Sequence, residues 1–286
     1  MGDERTGGPC PLGHAARHEA APAITVHFHP DFPHGDRTVM ESIAVDGAYL
    51  PQFVTGISNG GLTAHRGGDR WRWESRLFDG WYDEADDSAR PIYGAWNRHG
   101  SPYGGSFRFG SAHLRLRPDV VDRTTFCFPD SVLEPTEIGP WDALPRLVRL
   151  ADAAQADLLD DYVEAHVHGG VLIARDVEAI VLDPSHRGTP VEEAARGTGV
   201  AVEHHPGFAA DAAEFDPDYR GAVAVEVARQ IAREWPGEWP REARSADDGP
   251  ALTPRELGHA ARSGRFAPQK VKFVWHLLAR FGRLAR

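Results

Sequence analysis

Apolar and polar positions alternate along "ITVHF" at residues 24–28, so Val26 and Phe28 share one side and His27 the other. The β-branched and aromatic content marks a strand, and Pro30 stops it. In "TVMESIAVDG" the apolar residues Val39, Ile43 and Ala44 precede Gly47, which predicts a short helix with a glycine stop. "YLPQFVTGISNGG" reads as a strand running into a glycine-rich loop. Residues 71–82 place Trp73, Leu77 and Phe78 at helical spacing with Trp81 one turn on, a buried aromatic face. "GGSFRFGSAHLRLRP" alternates Phe107 and Phe109, then Leu114 and Leu116, against polar partners, a two-sided strand. "RTTFCF" predicts another strand, residues 141–159 a helix, and "YVEAHVHG" and "DVEAIVLD" two further strands. "PVEEAARG" is a helix with proline at its start and glycine at its end.

From about residue 219 the pattern turns helical, with a Pro/Gly/Asp break at 236–250 and a last segment over 251–286. Residues 1–22 are polar, rich in Gly, Pro and Ala and without period, which predicts a disordered tail. The expected organisation is therefore a tail at 1–22, a main domain at 23–210 and a helical region at 211–286. Strands and helices mix without a strict strand–helix repeat, which argues an α+β fold over a barrel.

With 286 residues and 41% hydrophobic content, the chain can bury one large core or two small ones. A net charge of −11 disfavours nucleic acid and anionic membrane surfaces as partners. The charge is uneven: residues 251–286 carry eight Lys/Arg and one Asp/Glu, leaving 23 against 41 elsewhere. Such a basic end either meets an acidic or lipid partner or docks on the acidic body. Cys10 and Cys127 are too few for a disulfide framework or a cysteine-based zinc site. No run of about 18 apolar residues predicts a transmembrane segment, and "MGDERTGGPCPLGHAARHEAAP" lacks the apolar core of a secretory signal. Cytoplasmic placement is the expectation, although export by a specialised apparatus would leave no readable signal.

Four polar clusters stand where strands end or glycines crowd: His27, His29 and Asp31; Gln52, Thr55, Ser58 and Asn59; Arg108 and Ser111; and Glu164, His166 and His168. His-x-His on a strand points both rings to one face, a spacing that metal-dependent hydrolases use, and Asp183 or His204 and His205 would complete a shell. The competing reading is a dinucleotide cleft. "TGISNGG" offers hydroxyls, an amide and free backbone N–H groups for phosphate oxygens, and a nearby Glu works on a sugar. Neither G-x-G-x-x-G after a strand nor G-x-x-x-x-G-K-[ST] is present, so Rossmann and P-loop binding are unsupported. A non-catalytic binding module is the third possibility.

"HFHPD", "QFVTGISNGG", "RPIYGAWN", "FRFGSAHLRLRPDVVDRTTFCFPDS" and "YVEAHVHGGVLIARDVEAIVLDP", in this order, resemble a bacterial family catalogued as a domain of unknown function. That family is in turn similar to mono-ADP-ribosyltransferases of bacterial effectors. The resemblance covers roughly residues 24–208. It implies an ADP-ribosyltransferase-like split β-sandwich with flanking helices, NAD as the substrate that supplies ADP-ribose, and an unidentified protein as acceptor. Carried over by position, Glu164 is the catalytic carboxylate flanked by His166 and His168, and His29 or His27 sits near the adenosine ribose. Thr55 or Ser58 supplies the hydroxyl, with Asp31, Gln52, Asn59, Arg108 and Ser111 as further NAD contacts. Two positions depart from the pattern: Tyr162 stands two before Glu164, where arginine-specific enzymes carry Gln or Glu, and "TGISNG" comes early for the hydroxyl-bearing strand.

Overall fold

A computed structural model describes residues 21–56, 63–239 and 250–284. In chain order come β1 (Ile24–Phe28), the ribbon β2 (Pro33–His34) and β3 (Arg37–Thr38), α1 (Val39–Asp46), β4 (Ala48–Tyr49) and α2 (Gln52–Thr55). Then follow α3 (Asp69–Leu77), β5 (Ile92–Trp96), β6 (Ala112–Leu116), β7 (Thr124–Cys127), β8 (Ile138–Gly139) and α4 (Leu144–Ala154). Next are β9 (Val163–Val167), β10 (Val171–Leu172), α5 (Ile173–Asp176), β11 (Val177–Leu182), α6 (Pro190–Gly197) and β12 (Ala201–His204). The chain closes with α7 (Pro217–Arg220), α8 (Ala222–Glu234), α9 (Pro254–Ser263) and α10 (Pro268–Phe281).

Eight strands hydrogen-bond as one sheet in the order β12-β11-β6-β1-β5-β9-β7-β8, mixed because β11 and β12 run parallel while the other pairs are antiparallel. The α+β class is thus observed. The strands join as a continuous ladder, where the resemblance implies a sheet divided between two layers.

The two sides of this sheet differ sharply. Val26 and Phe28 of β1, Leu114 of β6, Ile92 of β5, Phe126 of β7, Val163, Ala165 and Val167 of β9 and Ile180 of β11 form one buried apolar cluster. Met40 and Ile43 of α1, Leu144 and Leu147 of α4, and Val191 and Ala195 of α6 close over it. Because strand side chains alternate, the register forces the intervening residues onto the opposite face. There His27 lies opposite His113, Tyr93 opposite His166, and Glu164 opposite both Ala95 and Cys127. His27, His113, Glu164, His166 and Cys127 are nonetheless buried, and Tyr93 is half-buried.

A second apolar cluster explains part of their cover. Val225, Ala228 and Ile231 of α8, Leu257 of α9 and Val274, Leu277 and Leu278 of α10 pack with Tyr103, Phe107 and Phe208. Trp275 sits at its centre, fully buried, donating its indole N–H to the carbonyls of Phe107 at 3.1 Å and Arg108 at 2.9 Å and standing edge-on to the His29 ring. Of the two fates open to the basic end, docking on the body is the one observed. Arg262 pairs with Asp31, Arg265 with Glu234 and Arg280 with Asp157.

Three local expectations change. Residues 52–55 form a helical turn closed by Gly56 in the left-handed region, so that Phe53 can pack under the Arg90 guanidinium at 3.9 Å. A short apolar run does not discriminate strand from helix. Residues 107–109 form a 3-10 turn, and the strand begins only at Ala112. Here the chain crosses β1 so closely that a Cβ at Gly110 would lie 2.2 Å from the Phe28 backbone, a contact only glycine permits. Trp73 is buried as expected, but Trp81 is 57% exposed, because α3 ends at Leu77 and the chain turns away. Residues 1–20 of the expected tail lie outside the described residues. No described helix is long and apolar enough to cross a membrane.

Trp275→Ala should cost about 3–5 kcal/mol, the scale for emptying a buried aromatic site. Urea denaturation with an intrinsic-fluorescence readout measures it; a loss below about 1 kcal/mol would mean that α10 is not what holds the helical layer.

Candidate functional site

Glu164 is the second residue of β9, with Ala95 of β5 on one side and Cys127 of β7 on the other. Alanine at 95 leaves the carboxyl room to face a cleft. That cleft opens to solvent and has a cavity volume of about 150 Å³. His27, Gln52, Arg70, Tyr93, Arg108 and Asp130 share its lining with Glu164, and Lys272 reaches it from α10. Tyr49, Trp73 and Phe109 add aromatic wall.

Burial pushes the Glu164 carboxyl up to about 7, while Ser131 and the Arg70 charge pull partway back. Its Oε1 lies 2.7 Å from His166 Nε2. Burial lowers the His166 imidazole to about 3, so the ring is neutral, and the close contact is a hydrogen bond sharing one proton rather than an ion pair. Thr125 Oγ1 lies 3.3 Å from the other ring nitrogen of His166. A second carboxyl stands beside the first. Asp130 is raised by burial and then by the Glu164 charge, and the Tyr162 hydroxyl donates to its Oδ2. Two buried carboxyls side by side cannot both ionise cheaply, so they titrate as a pair.

The opposite wall is held by a buried ion pair. Arg90 binds Glu74 at 2.6 Å, both side chains almost fully buried, and the Tyr93 hydroxyl donates to the same carboxylate at 3.0 Å. Between them lies Arg70, 4% exposed, its guanidinium 4.3 Å from the centre of the Trp73 ring and 4.9 Å from that of Tyr93. Arg70 Nε and Nη1 are buried without a hydrogen-bond partner. A desolvated cation with free donors is costly unless something anionic meets it.

Of the residues expected to be catalytic, Glu164 lines the cleft and His166 touches it from behind. His168 instead bonds Tyr82 at 2.5 Å and Thr125 at 2.9 Å. Of the expected NAD contacts, His27, Gln52 and Arg108 line the cleft. Arg108 pairs there with Asp160. His29 and Thr55 line an adjoining hollow that shares Tyr49, Leu50 and Gln52 with it. Asp31 is buried against α9, its carboxyl raised to about 7 by burial, and Ser111 is buried with its carbonyl accepting from His205 at 2.8 Å. Ser58 and Asn59 lie outside the described residues. The two His-x-His pairs do not converge. His27 meets His113 and the Gly110 carbonyl, and His29 stacks on Phe32, while His166 and His168 face Phe78.

Arg70, Asp130 and Tyr93 are not among the candidate site residues that the sequence offers. Arg70 sits in a stretch read only for its tryptophans, and Asp130 follows a strand end in "CFPDS", a place where turn acids are ordinary.

A family model matches residues 23–149 and 142–281, nearly the whole described chain. The chain belongs to the family described as "Protein of unknown function (DUF3626)". The match extends beyond the sheet into α10, so the helical layer is part of what the family model describes. A Mycobacterium phage L5 protein, "Gene 2 protein", is 27% identical over 139 residues, 40% of this chain. The aligned part is 52% of the phage protein, so the chain spans about half the length of this curated relative.

The raised Glu164 pKa has a consequence for stability. A carboxyl titrating near 7 in the fold and near 4.5 outside it contributes stability that is complete below 4.5 and is lost as pH rises through 7. Glu164→Gln, an uncharged isostere, should therefore be more stable than wild type at pH 8.5 by about 3 kcal/mol, with the difference shrinking toward pH 5. Denaturant melts at the two pH values test this; parallel pH dependence in both proteins would contradict it.

Proposed function

We propose that the protein is a mono-ADP-ribosyltransferase that breaks the nicotinamide–ribose bond of NAD, passing ADP-ribose to a protein side chain or, lacking an acceptor, to water. The observation that carries this reading is the pairing, in one cleft, of a buried carboxyl at the floor with a buried, unpartnered arginine in the wall. Those two groups match the two demands of the substrate. Arg70 meets the pyrophosphate, for which a guanidinium supplies both charge and forked donors. Glu164 meets the ribose. As the C–N bond breaks, its electrons leave with nicotinamide and positive charge develops on the sugar, where a carboxylate accepting from the 2′-hydroxyl stabilises it.

The remaining lining fits the same substrate. Tyr93, Trp73 and Phe109 offer flat apolar surface for the nicotinamide ring, and the adjoining hollow of Phe28, His29, Phe32 and Tyr49 suits the adenosine half. Asp130, protonated while Glu164 is ionised, orients the attacking group, whose proton passes to the solvent on which the cleft opens. Its bond from Tyr162 also supports this: the position that lacks an acidic residue in sequence is tied to one in space.

Nicotinamide release from NAD should fall on the order of 10²–10³ in Glu164→Gln with NAD binding largely kept, the scale for one preorganised electrostatic group. Arg70→Ala should act on the other end, raising KM for NAD roughly 10- to 100-fold, the value of a charge-assisted hydrogen bond. Because Glu164 must be ionised, turnover should rise with pH through about 7. Unchanged turnover in Glu164→Gln would sink the mechanism.

A further inference from the structure

Three side chains with metal-ligating atoms converge behind the cleft floor. Cys127 Sγ lies 3.8 Å from His166 Nε2 and 4.0 Å from Glu164 Oε1, and those two atoms are 2.7 Å apart. All three residues are buried. We propose that Cys127, Glu164 and His166 form a three-ligand site for a thiophilic divalent cation, zinc by preference, and that filling it switches the cleft off by occupying Glu164.

The sheet register builds this site. Glu164 and Cys127 are directly opposed on β9 and β7, and His166 follows Glu164 by two residues, on the same face. In a tetrahedral zinc site, ligand atoms stand about 3.5 Å apart. The sulfur needs to close by a few tenths of an ångström, and the pair now sharing a proton to open by about half an ångström. Thiolate, imidazole and carboxylate are the donors zinc accepts, and they suit the hard cations magnesium and calcium poorly. Their charges also fit. One thiolate and one carboxylate neutralise a dication, so the buried site carries no net charge when full.

Binding displaces the Cys127 proton and the proton shared between Glu164 and His166, so zinc uptake releases up to two protons. Thr125 beside the remaining His166 nitrogen supplies the outer hydrogen bond that orients a ligating ring. Glu164 alone of the three lines the cleft, so the site sits behind the cleft floor. Arg70 lines the same cleft, and its charge weakens the site relative to a closed structural one. Cys127, one of two cysteines in the sequence, thus acquires its partners from a neighbouring strand.

The inhibition, though not the cation site, rests on Glu164 being the carboxylate that works on NAD. The test therefore begins without activity. Purified protein is titrated with cobalt(II), followed by the thiolate-to-cobalt charge-transfer absorption, and the cobalt is then displaced with zinc. One equivalent giving that absorption, abolished in Cys127→Ser and in His166→Gln, is expected. No stoichiometric absorption in wild type, or zinc affinity in Cys127→Ser within about threefold of wild type, overturns the site. Cys127 does not line the cleft, so Cys127→Ser should keep nicotinamide release while losing its inhibition by zinc. Equal inhibition of both proteins overturns the switch. A cobalt band in a protein that releases no nicotinamide upholds the site and counts against the transferase reading alone.

Discussion

Desolvation of ionisable groups on one face of the sheet is the constraint on which the rest of the structure depends. A strand cannot bury Val26, Phe28, Val163 and Ala165 without sending His27, Glu164 and His166 to the other side. On an ordinary two-layered protein that side would face water. Here much of it is covered, and the imidazoles of His27, His29, His113, His166 and His205 are all pushed down by burial into their neutral forms. Neutral imidazoles can be hydrogen-bonded into a dry layer at modest cost, whereas charged ones cannot. The face tolerates burial because its commonest ionisable residue can discard its charge.

The carboxyls pay more heavily, and they gather where the cover is incomplete. Glu164 and Asp130 stand at the cleft, each raised by burial and each beside the other. The opposing cations are not spread evenly either. Arg90 is used up on Glu74, so its role is to hold the α3 wall against β5 through Tyr93, while Arg70 keeps free donors. A satisfied pair stands next to an unsatisfied cation: the first resists rearrangement, and the second keeps buried donors without a hydrogen-bond partner.

Much of the scaffold was legible along the chain. The alternation in "ITVHF", "YVEAHVHG" and "DVEAIVLD" corresponds to β1, β9 and β11, and proline and glycine bracket α6 where "PVEEAARG" predicts. Glu164 was legible as a polar position on a strand whose partners are apolar. The errors fall where a local pattern was overruled by a crossing. Phe107 and Phe109 alternate like strand residues, but Gly110 lets the chain pass over β1, and the two rings diverge from a common face. Residues 52–55 likewise curl to bring Phe53 under Arg90, a partner 37 positions away in sequence that no local window contains.

What the sequence determined by itself was therefore which residues share a strand face, because a two-residue period is a property of the backbone alone. It specified that Glu164 and His166 look the same way, and that both look away from Ala165. Only the tertiary structure decided what they look at. The register that sets Cys127 against Glu164, the α3 placement that brings Arg70 over Tyr93, and the docking of α10 that delivers Lys272 are long-range choices. They are made by the burial of two apolar clusters, and the chemistry of the cleft follows from that packing rather than from any motif.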